Sequence, residues 1–381
     1  MRRHFSRIIL TLIVAAMASH TISRGADVQT GPQILAALTD HQYDLEVDGR
    51  SFLLNEARNN DFFLLGELHG DREIPALLRS MWPEMWKQGY RHIAAEVSPW
   101  AAHQLEFVPP GKGADVQGLW TKQEATDVHG LPDLDGDVIW GCDMEEAQPQ
   151  LLVRQLAALN PGNSNLKNMA ELTKGGYDRN LAPDLLRLAK ASKAIADEVL
   201  NDISLSETLL ATLEIENNRL GPDTSMMAQI DRELLMKNQF LQHFRKHSTP
   251  ETSTKVLLRF GRNHLHRGYD ARGISTLGNF IAEFALARGS KAFNVGAFGA
   301  GGTASLMGNT WKADERADEL AFALLAQNAK YPATLFDLRP LRALLHQIPQ
   351  DKRSPLQTNL IYWTDSYDAL ICYKTVTPLA P

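Results

Sequence analysis

Glu67 and His69 are separated by one residue and follow directly on an apolar run, Phe62 to Leu65, that stops at Gly66. An imidazole with an unperturbed pKa of about 6.5 can take a proton from water near neutral pH, and a carboxylate beside it can orient the ring or stabilise its charged form. The same grammar recurs along the chain. Glu96 ends the run that begins at Arg91; Asp143, Glu145 and Glu146 follow Val138 to Cys142; Arg262, His264 and His266 follow the run from Lys255 to Gly261. In open α/β sheets ligands bind just beyond the carboxyl ends of strands, so these acids and imidazoles are expected to meet at one rim. The roles that fit are His69 as base, Glu67 or Glu96 as its orienting carboxylate, and His264 as a second imidazole that positions water or donates to a developing oxyanion. Glu73 reads as an orienting group or an ion-pair partner of Arg72 or Arg262, and Gly70 as leaving room beside His69. Asp143, Asp231, Arg262 and His266 complete the candidate binding set.

The elements that must position these groups alternate in type. A buried strand leads to Glu67, and a helix from about Glu73 to Gln88 carries Ile74, Leu77, Leu78, Met81 and Met85 at helical spacing. The strand ending at Glu96 runs into Ser98-Pro99, a helix start, and the stretch from Pro109 to Gly136 reads as a polar, Gly-rich loop. Thr30 and Pro32 mark an earlier capped helix. From Pro149 to about His247 helical patterns dominate, at Pro183 to Leu200, Leu205 to Asn217 and Ser225 to Phe244, which predicts a helical cap over about 149–250. Asp231 and Arg232 are neighbours on the last of these and cannot face the same way. Strands are expected at Lys255 to Gly261, Ala292 to Phe298, Ala333 to Leu338, Asn359 to Trp363 and Ala369 to Tyr373, with helices at Ser275 to Arg288 and Pro340 to Gln347. The glycine run Gly299 to Ser305 lacks either nucleotide-binding spacing and reads as a flexible rim. The fold class is therefore α/β: a mostly parallel central sheet flanked by helices, with a helical insertion in the middle of the chain.

With 381 residues, 44% hydrophobic and 22% charged, the chain can bury a large core. A net charge of -6 and a pI near 6.1 give no electrostatic reason to propose nucleic acid as a partner; a small-molecule substrate is expected. Arg2, Arg3 and Arg7 precede an apolar stretch from Ile8 to Met17 and a small-x-small cleavage signature at Ala16 to Ala18. Residues 1–26 are read as a signal peptide and leader, residues 27–381 as one α/β domain, and the protein as exported, to the periplasm or beyond. Arg2-Arg3 followed by Phe5 hints at the twin-arginine route. No second apolar stretch is long enough to span a membrane, so no transmembrane domain is expected. Cys142 and Cys372 both sit in runs that read as buried strands, and two buried free thiols are expected.

Gly66-Glu67-Leu68-His69-Gly70-Asp71-Arg72-Glu73, Glu96 at a strand exit, Gly141 to Met144, Asp231 to Asn238, Asn263 to His266, and the tail Tyr367 to Pro378 occur in the order seen in the erythromycin esterase-like proteins. The resemblance covers most of the chain after its leader. One departure from the esterases is the single residue between Glu67 and His69, where they have two. That shorter form, with Gly261 to Leu265, is similar to two other branches of the superfamily, the haem-binding ChaN-like lipoproteins and the metal-dependent Tiki-type peptidases. The resemblance implies a parallel sheet wrapped by helices, a site at the strand ends, and hydrolysis of an ester or lactone by His-activated water with no cofactor. Two alternatives follow from the same residues. Two imidazoles and two carboxylates, His69, His264, Glu67 and Glu96, suit Zn or Mn, although neither imidazole belongs to a His-x-x-x-His pair. An exported haem or iron-chelate binder is the other, and the absence of Cys-x-x-Cys-His excludes covalent haem.

Overall fold

The apolar runs fold into strands buried on both faces, so each strand supplies side chains to two cores at once. In the computed structural model, which describes residues 31–108, 120–129, 137–192, 199–200, 203–249, 254–306 and 308–379, β2 (Phe62–Glu67) shows this division plainly. Phe63 and Leu65 pack into one hydrophobic cluster and Phe62 and Leu64 into the other, as the two-residue period of a strand requires. The remaining strands are β1 (Gln42–Asp44), β3 (Tyr90–Ala95), β4 (Ile139–Gly141), β5 (Val199–Leu200), β6 (Ile203–Ser204), β7 (Lys255–Gly261), β8 (Ala292–Leu306), β9 (Asn309–Asp314), β10 (Ala333–Asp337) and β11 (Ala369–Tyr373). Nine of them form one sheet in the order β1-β10-β11-β8-β2-β7-β3-β4, with β9 paired to β8; β5 and β6 form a separate hairpin. From β11 to β4 every neighbour pair is parallel, while β1, β9 and β10 are antiparallel additions. The α/β, mostly parallel architecture expected from the alternation of patterns is thus present.

Consequently β2, β7, β3 and β4 lie side by side, and their carboxyl ends open onto the same edge. Helix Glu73–Lys87 returns the chain along one face and buries Ile74, Leu77, Leu78, Met81, Trp82 and Met85, each worth roughly 1.5–3 kcal/mol on burial. The helical stretch after Pro149 divides between the two faces. Leu152, Leu166, Leu185 and Leu209 join the core of Phe63, whereas Met236, Phe240 and Phe244, from the long helix Ser225–His247, join the core of Phe62. Both cysteines are free and buried. Among the described residues no helix is long and apolar enough to cross a membrane, and the leader lies outside those residues.

Several local expectations are corrected. Gly66 does not end its strand: pairing continues through Glu67, and the missing side chain instead admits the Arg262 backbone, whose Cα would be 3.1 Å from an added Cβ. Gly299 to Ser305 is no loose rim but the second half of β8, paired with β9. Its glycines allow close backbone approach, since a Cβ on Gly302, at φ 91, would lie on the Val376 carbonyl oxygen. Asn359 to Trp363 is helical, inside Pro355–Ser366, where Ser354 and Gln357 form a capping box and Pro355 opens the first turn. The stretch Pro109 to Gly136 contains a helix, Lys122–His129. The helix expected to reach Leu200 ends at Ala191, and Val199–Leu200 pairs with β6. Pro32–Asp40 begins behind Gly31, which offers no side-chain cap, and Thr30 lies outside the described residues.

Candidate active site

Register brings the first two groups together. Glu67, the last residue of β2, is paired with Gly261, the last of β7, and the absent side chain there opens the space that His69 occupies. A Cβ on Gly261 would stand 2.5 Å from His69 Nε2 and 3.2 Å from Glu96 Oε2. Room beside the histidine therefore comes from Gly261 and not from Gly70. Gly70, at φ 81, is needed where its Cα faces the Ser305 backbone, 2.7 Å from an added Cβ. Gly261→Ala is expected to leave the fold intact and to rotate His69 out of place, cutting any turnover that the site supports on the order of a hundredfold with little change in Tm. Kinetics alongside thermal melting of the same sample checks this.

His69 Nδ1 lies 2.9 Å from Glu67 Oε1, and its Nε2 lies 3.7 Å from Glu96 Oε2. The ring is about one-third exposed (32%), while both carboxylates are buried. Glu96 follows β3 directly and is held from three sides: the Gly261 amide donates to Oε2 at 2.6 Å, Arg232 Nη2 donates to Oε1 at 3.0 Å, and His264 Nε2 stands 3.4 Å from Oε1. His264 sits in the 3-10 turn Arg262–His264 after β7, and its Nδ1 lies 2.6 Å from Glu233 Oε1. Arg232 and Glu233 both come from helix Ser225–His247 on the far face of the sheet. Arg232 binds Asp143 through Nε at 3.0 Å and Nη2 at 2.5 Å, and Glu146 through Nη2 at 2.9 Å. From the opposite face Arg259, inside β7, donates to Glu67 Oε2 at 2.5 Å and to Glu124 Oε1 at 2.7 Å.

Burial alone would raise the Glu67 and Glu96 carboxyls, but the cations around them outweigh it. Arg259 and His69 hold Glu67 below its ordinary value, and His264, His69 and Arg232 hold Glu96 well below. Burial opposes charge on both imidazoles, and the carboxylates again prevail: Glu96 and Glu67 raise His69 above 6.5, and Glu96 and Glu233 raise His264 to about 10. Both ring nitrogens of His264 face carboxylates, so both must carry protons. The sign of the linkage follows. His264 gains a proton on folding, so its stabilisation is complete below pH 6.5, where the unfolded chain is also protonated, and is lost as pH rises towards about 10. His264→Gln should therefore abolish a fall in stability of up to about 1.4 kcal/mol per pH unit across that window. Urea unfolding of wild type and variant between pH 6 and 10 reads it directly.

A cavity of about 370 Å³ covers these groups. Its polar wall includes His69, Glu96, Arg232 and His264; its apolar wall includes Val97, Ala101, Trp120, Met144 and Leu306. Of the remaining candidates, Asp143 joins through Arg232, but four others stand apart. Asp231 is half-buried, with Asn218 Nδ2 at 3.5 Å, and lines a separate cavity with Leu234. One residue advances a helix by about 100°, so Arg232 turns inward and Asp231 does not. Glu73 accepts from the Thr377 amide at 2.9 Å and from the Thr377 hydroxyl, tying down the C-terminal segment, and pairs with neither Arg72 nor Arg262. Arg262 pairs with Glu315 at 2.5 Å and lies against the Phe322 and Trp363 rings. His266 is enclosed by Tyr362, Trp363 and Tyr367, with Ser366 Oγ 3.0 Å from Nδ1, and burial pushes it down to about 3, so it is neutral.

Three site residues were not among those singled out, Glu233, Arg259 and Glu124, and Arg232 was noted only as the neighbour of Asp231. Arg259 did leave a trace, as a charge in the middle of an otherwise apolar strand. Among the described residues no group of three or more His, Cys, Asp or Glu side chains is arranged to hold a metal ion. The carboxylates converge on guanidinium groups instead.

Neither a family model nor a curated protein matches the sequence. Solved structures do match along nearly the whole chain. A Bacillus cereus protein aligns with TM-score 0.56 at 16% identity, covering 91% of this chain and 98% of that one. A succinoglycan biosynthesis protein aligns with TM-score 0.54 at 12% identity, covering 92% and 98%. A histidine-to-asparagine mutant of the erythromycin esterase EreC, in its open conformation, aligns with TM-score 0.55 at 15% identity, covering 91% and 97%. At such identities the likeness is one of fold. This chain therefore shares its fold with these three structures, an erythromycin esterase among them.

Proposed function

We propose that the cavity at the ends of β2, β7, β3 and β4 hydrolyses an ester or lactone bond of a small molecule, with His69 as the base. The observation that carries this is the dyad: Glu67, kept ionised by Arg259, accepts the Nδ1–H hydrogen bond of His69 at 2.9 Å and leaves Nε2 towards the cavity. Nε2 then accepts a proton from water as that water attacks the carbonyl carbon, and Glu67 and Glu96 stabilise the imidazolium that results. His264 is charged over the working range, and its Nε2 contact with Glu96, at 3.4 Å, is loose enough to leave a proton for the developing oxyanion. The apolar wall of Val97, Ala101, Met144 and Leu306 suits the uncharged part of such a substrate.

What supports a metal-free route is the chemistry of the donors. Glu96 already receives Arg232, His264 and a backbone amide, so a dication there would have to displace a guanidinium 3.0 Å away. The basic and apolar leader within residues 1–26 supports export, and cell fractionation tests that part. The main test is a screen of neutral esters and lactones with wild type and His69→Ala, with and without chelator. Turnover that survives chelation and disappears in His69→Ala is the expected result. Activity lost on chelation would transfer the reading to a metal-dependent hydrolase. No turnover together with a Soret band on adding haemin would transfer it to haem binding.

A further inference from the structure

Arg259 is a charged side chain at the centre of a buried strand, with only 2% of its surface exposed and Leu65 and Ala95 as its neighbours across β2 and β3. It lies between two carboxylates. Nε donates to Glu67 at 2.5 Å and Nη1 to Glu124 at 2.7 Å, and the Trp120 ring lies 4.5 Å from the guanidinium carbon. Glu124 belongs to the helix Lys122–His129, and Glu67 in turn holds His69. An unbroken series of charge-assisted contacts, Glu124 to Arg259 to Glu67 to His69, thus runs from an outer helix to the cavity.

The geometry points to Arg259 and Glu124 as a positioning pair that sets the basicity of the Glu67–His69 dyad: Arg259 draws charge from Glu67, and Glu124, by sharing the guanidinium, limits how much. This rests on His69 being the base. A carboxylate that shares a guanidinium receives part of its field, and in a buried site fields of this kind act over several ångströms. Packing does not call for charge here, because an apolar side chain suits the middle of a strand covered on both faces. The other groups facing the dyad are Glu96 after β3, with Arg232 behind it, His264 after β7, and Asp71, which lies near Glu67. Of these, Asp71 also feels the Arg259 charge, so Glu124→Gln is the cleaner of the two changes.

The two substitutions act on one imidazole with opposite signs. Glu124→Gln removes a negative charge that shares Arg259 with Glu67, so the acid limb of the pH–rate profile should move down by about 0.5–1 pH unit. Arg259→Met leaves Glu67 without its cation, so the limb should move up by a similar amount, and Arg259→Lys should restore it to near wild type. A brace with no electrostatic part would lower kcat or Tm in both variants and leave the limb in place. The His69 titration is also followed by NMR with labelled histidine, assigned by its loss in His69→Ala. Opposite shifts of that resonance support the inference even where no ester is turned over, which would count against the hydrolase reading alone. If Arg259→Met does not fold, Glu124→Gln carries the test, and a limb or resonance that stays put or moves up in it overturns the proposal.

Discussion

Arg232→Met is expected to lose about 3–5 kcal/mol of folding stability at pH 8, because it removes one member of a buried ionic network and leaves the others. The guanidinium is bound by Asp143, Glu96 and Glu146, at contacts between 2.5 and 3.0 Å, and only 8% of Arg232 is exposed. Methionine fills much of the volume and supplies no charge. Asp143 and Glu96, which are buried, must then either remain ionised in a poorly solvated place or bind protons on folding, whereas Glu146 is exposed. The second response fixes the sign of the pH dependence. In wild type Glu96 is held well below its ordinary value, so its contribution is present above pH 4.5 and is lost only as pH falls. In the variant the same carboxyls take up protons on folding, so stability declines as pH rises. The gap between the two proteins should widen from pH 5 to pH 8, as read by urea unfolding at both. Asp231→Ala, one residue away and half-buried, should stay within about 0.5 kcal/mol of wild type. An Arg232→Met protein as stable as wild type at pH 8 would mean that the network does not exist as described.

His69→Ala is expected to reduce kcat for any ester or lactone that the protein hydrolyses by about 10²–10⁴-fold, the usual range for removing a general base. Because the ring is 32% exposed and Glu67 retains Arg259, the loss in stability should be no more than about 1 kcal/mol, so an inactive variant should still be folded. The pH profile gives the second part of the argument. A base must be unprotonated to work, so activity rises as pH climbs through the His69 value, which neighbouring carboxylates place above 6.5. It falls again as His264 loses its proton near 10. A bell with those two limbs is the expected profile, its midpoints belonging to the coupled cluster as a whole. Glu67→Gln should move the acid limb down, since it removes a charge that favours the imidazolium, while kcat falls because the ring is no longer held in the productive tautomer. An acid limb unmoved by Glu67→Gln would separate Glu67 from the base and sink the dyad.

The site residues that the sequence marked most clearly are those carried by short-range grammar. Glu67 ends an apolar strand and Glu96 and His264 follow one, and the carboxyl end of a parallel strand is where a sheet of this kind gathers its chemistry. The same grammar marked His266, Glu73 and Arg262, which the structure turns elsewhere, because proximity to a strand end does not say which way a side chain points. His266 faces the rings of Tyr362 and Trp363, and Glu73 holds the C-terminal segment. Short apolar runs were ambiguous for a related reason. Asn359 to Trp363 has the composition of a strand, and only its cap at Ser354 and its packing against neighbouring helices make it helical.

By itself, then, the order of residues determined the sheet's principal strands, the acids and imidazoles at their exits, and a mostly parallel α/β architecture, because burial and periodicity act within a few residues of one another. The tertiary structure alone decided which partners those groups have. Arg259 meets Glu67 only because β7 lies beside β2 in one register, Arg232 rather than Asp231 reaches Glu96 only because a helix from the far face is rotated that way, and Gly261 opens the space for His69 only because the two strands end level. Each of these contacts joins segments more than a hundred residues apart, and its physical cause is the packing of whole elements rather than any property of the local chain.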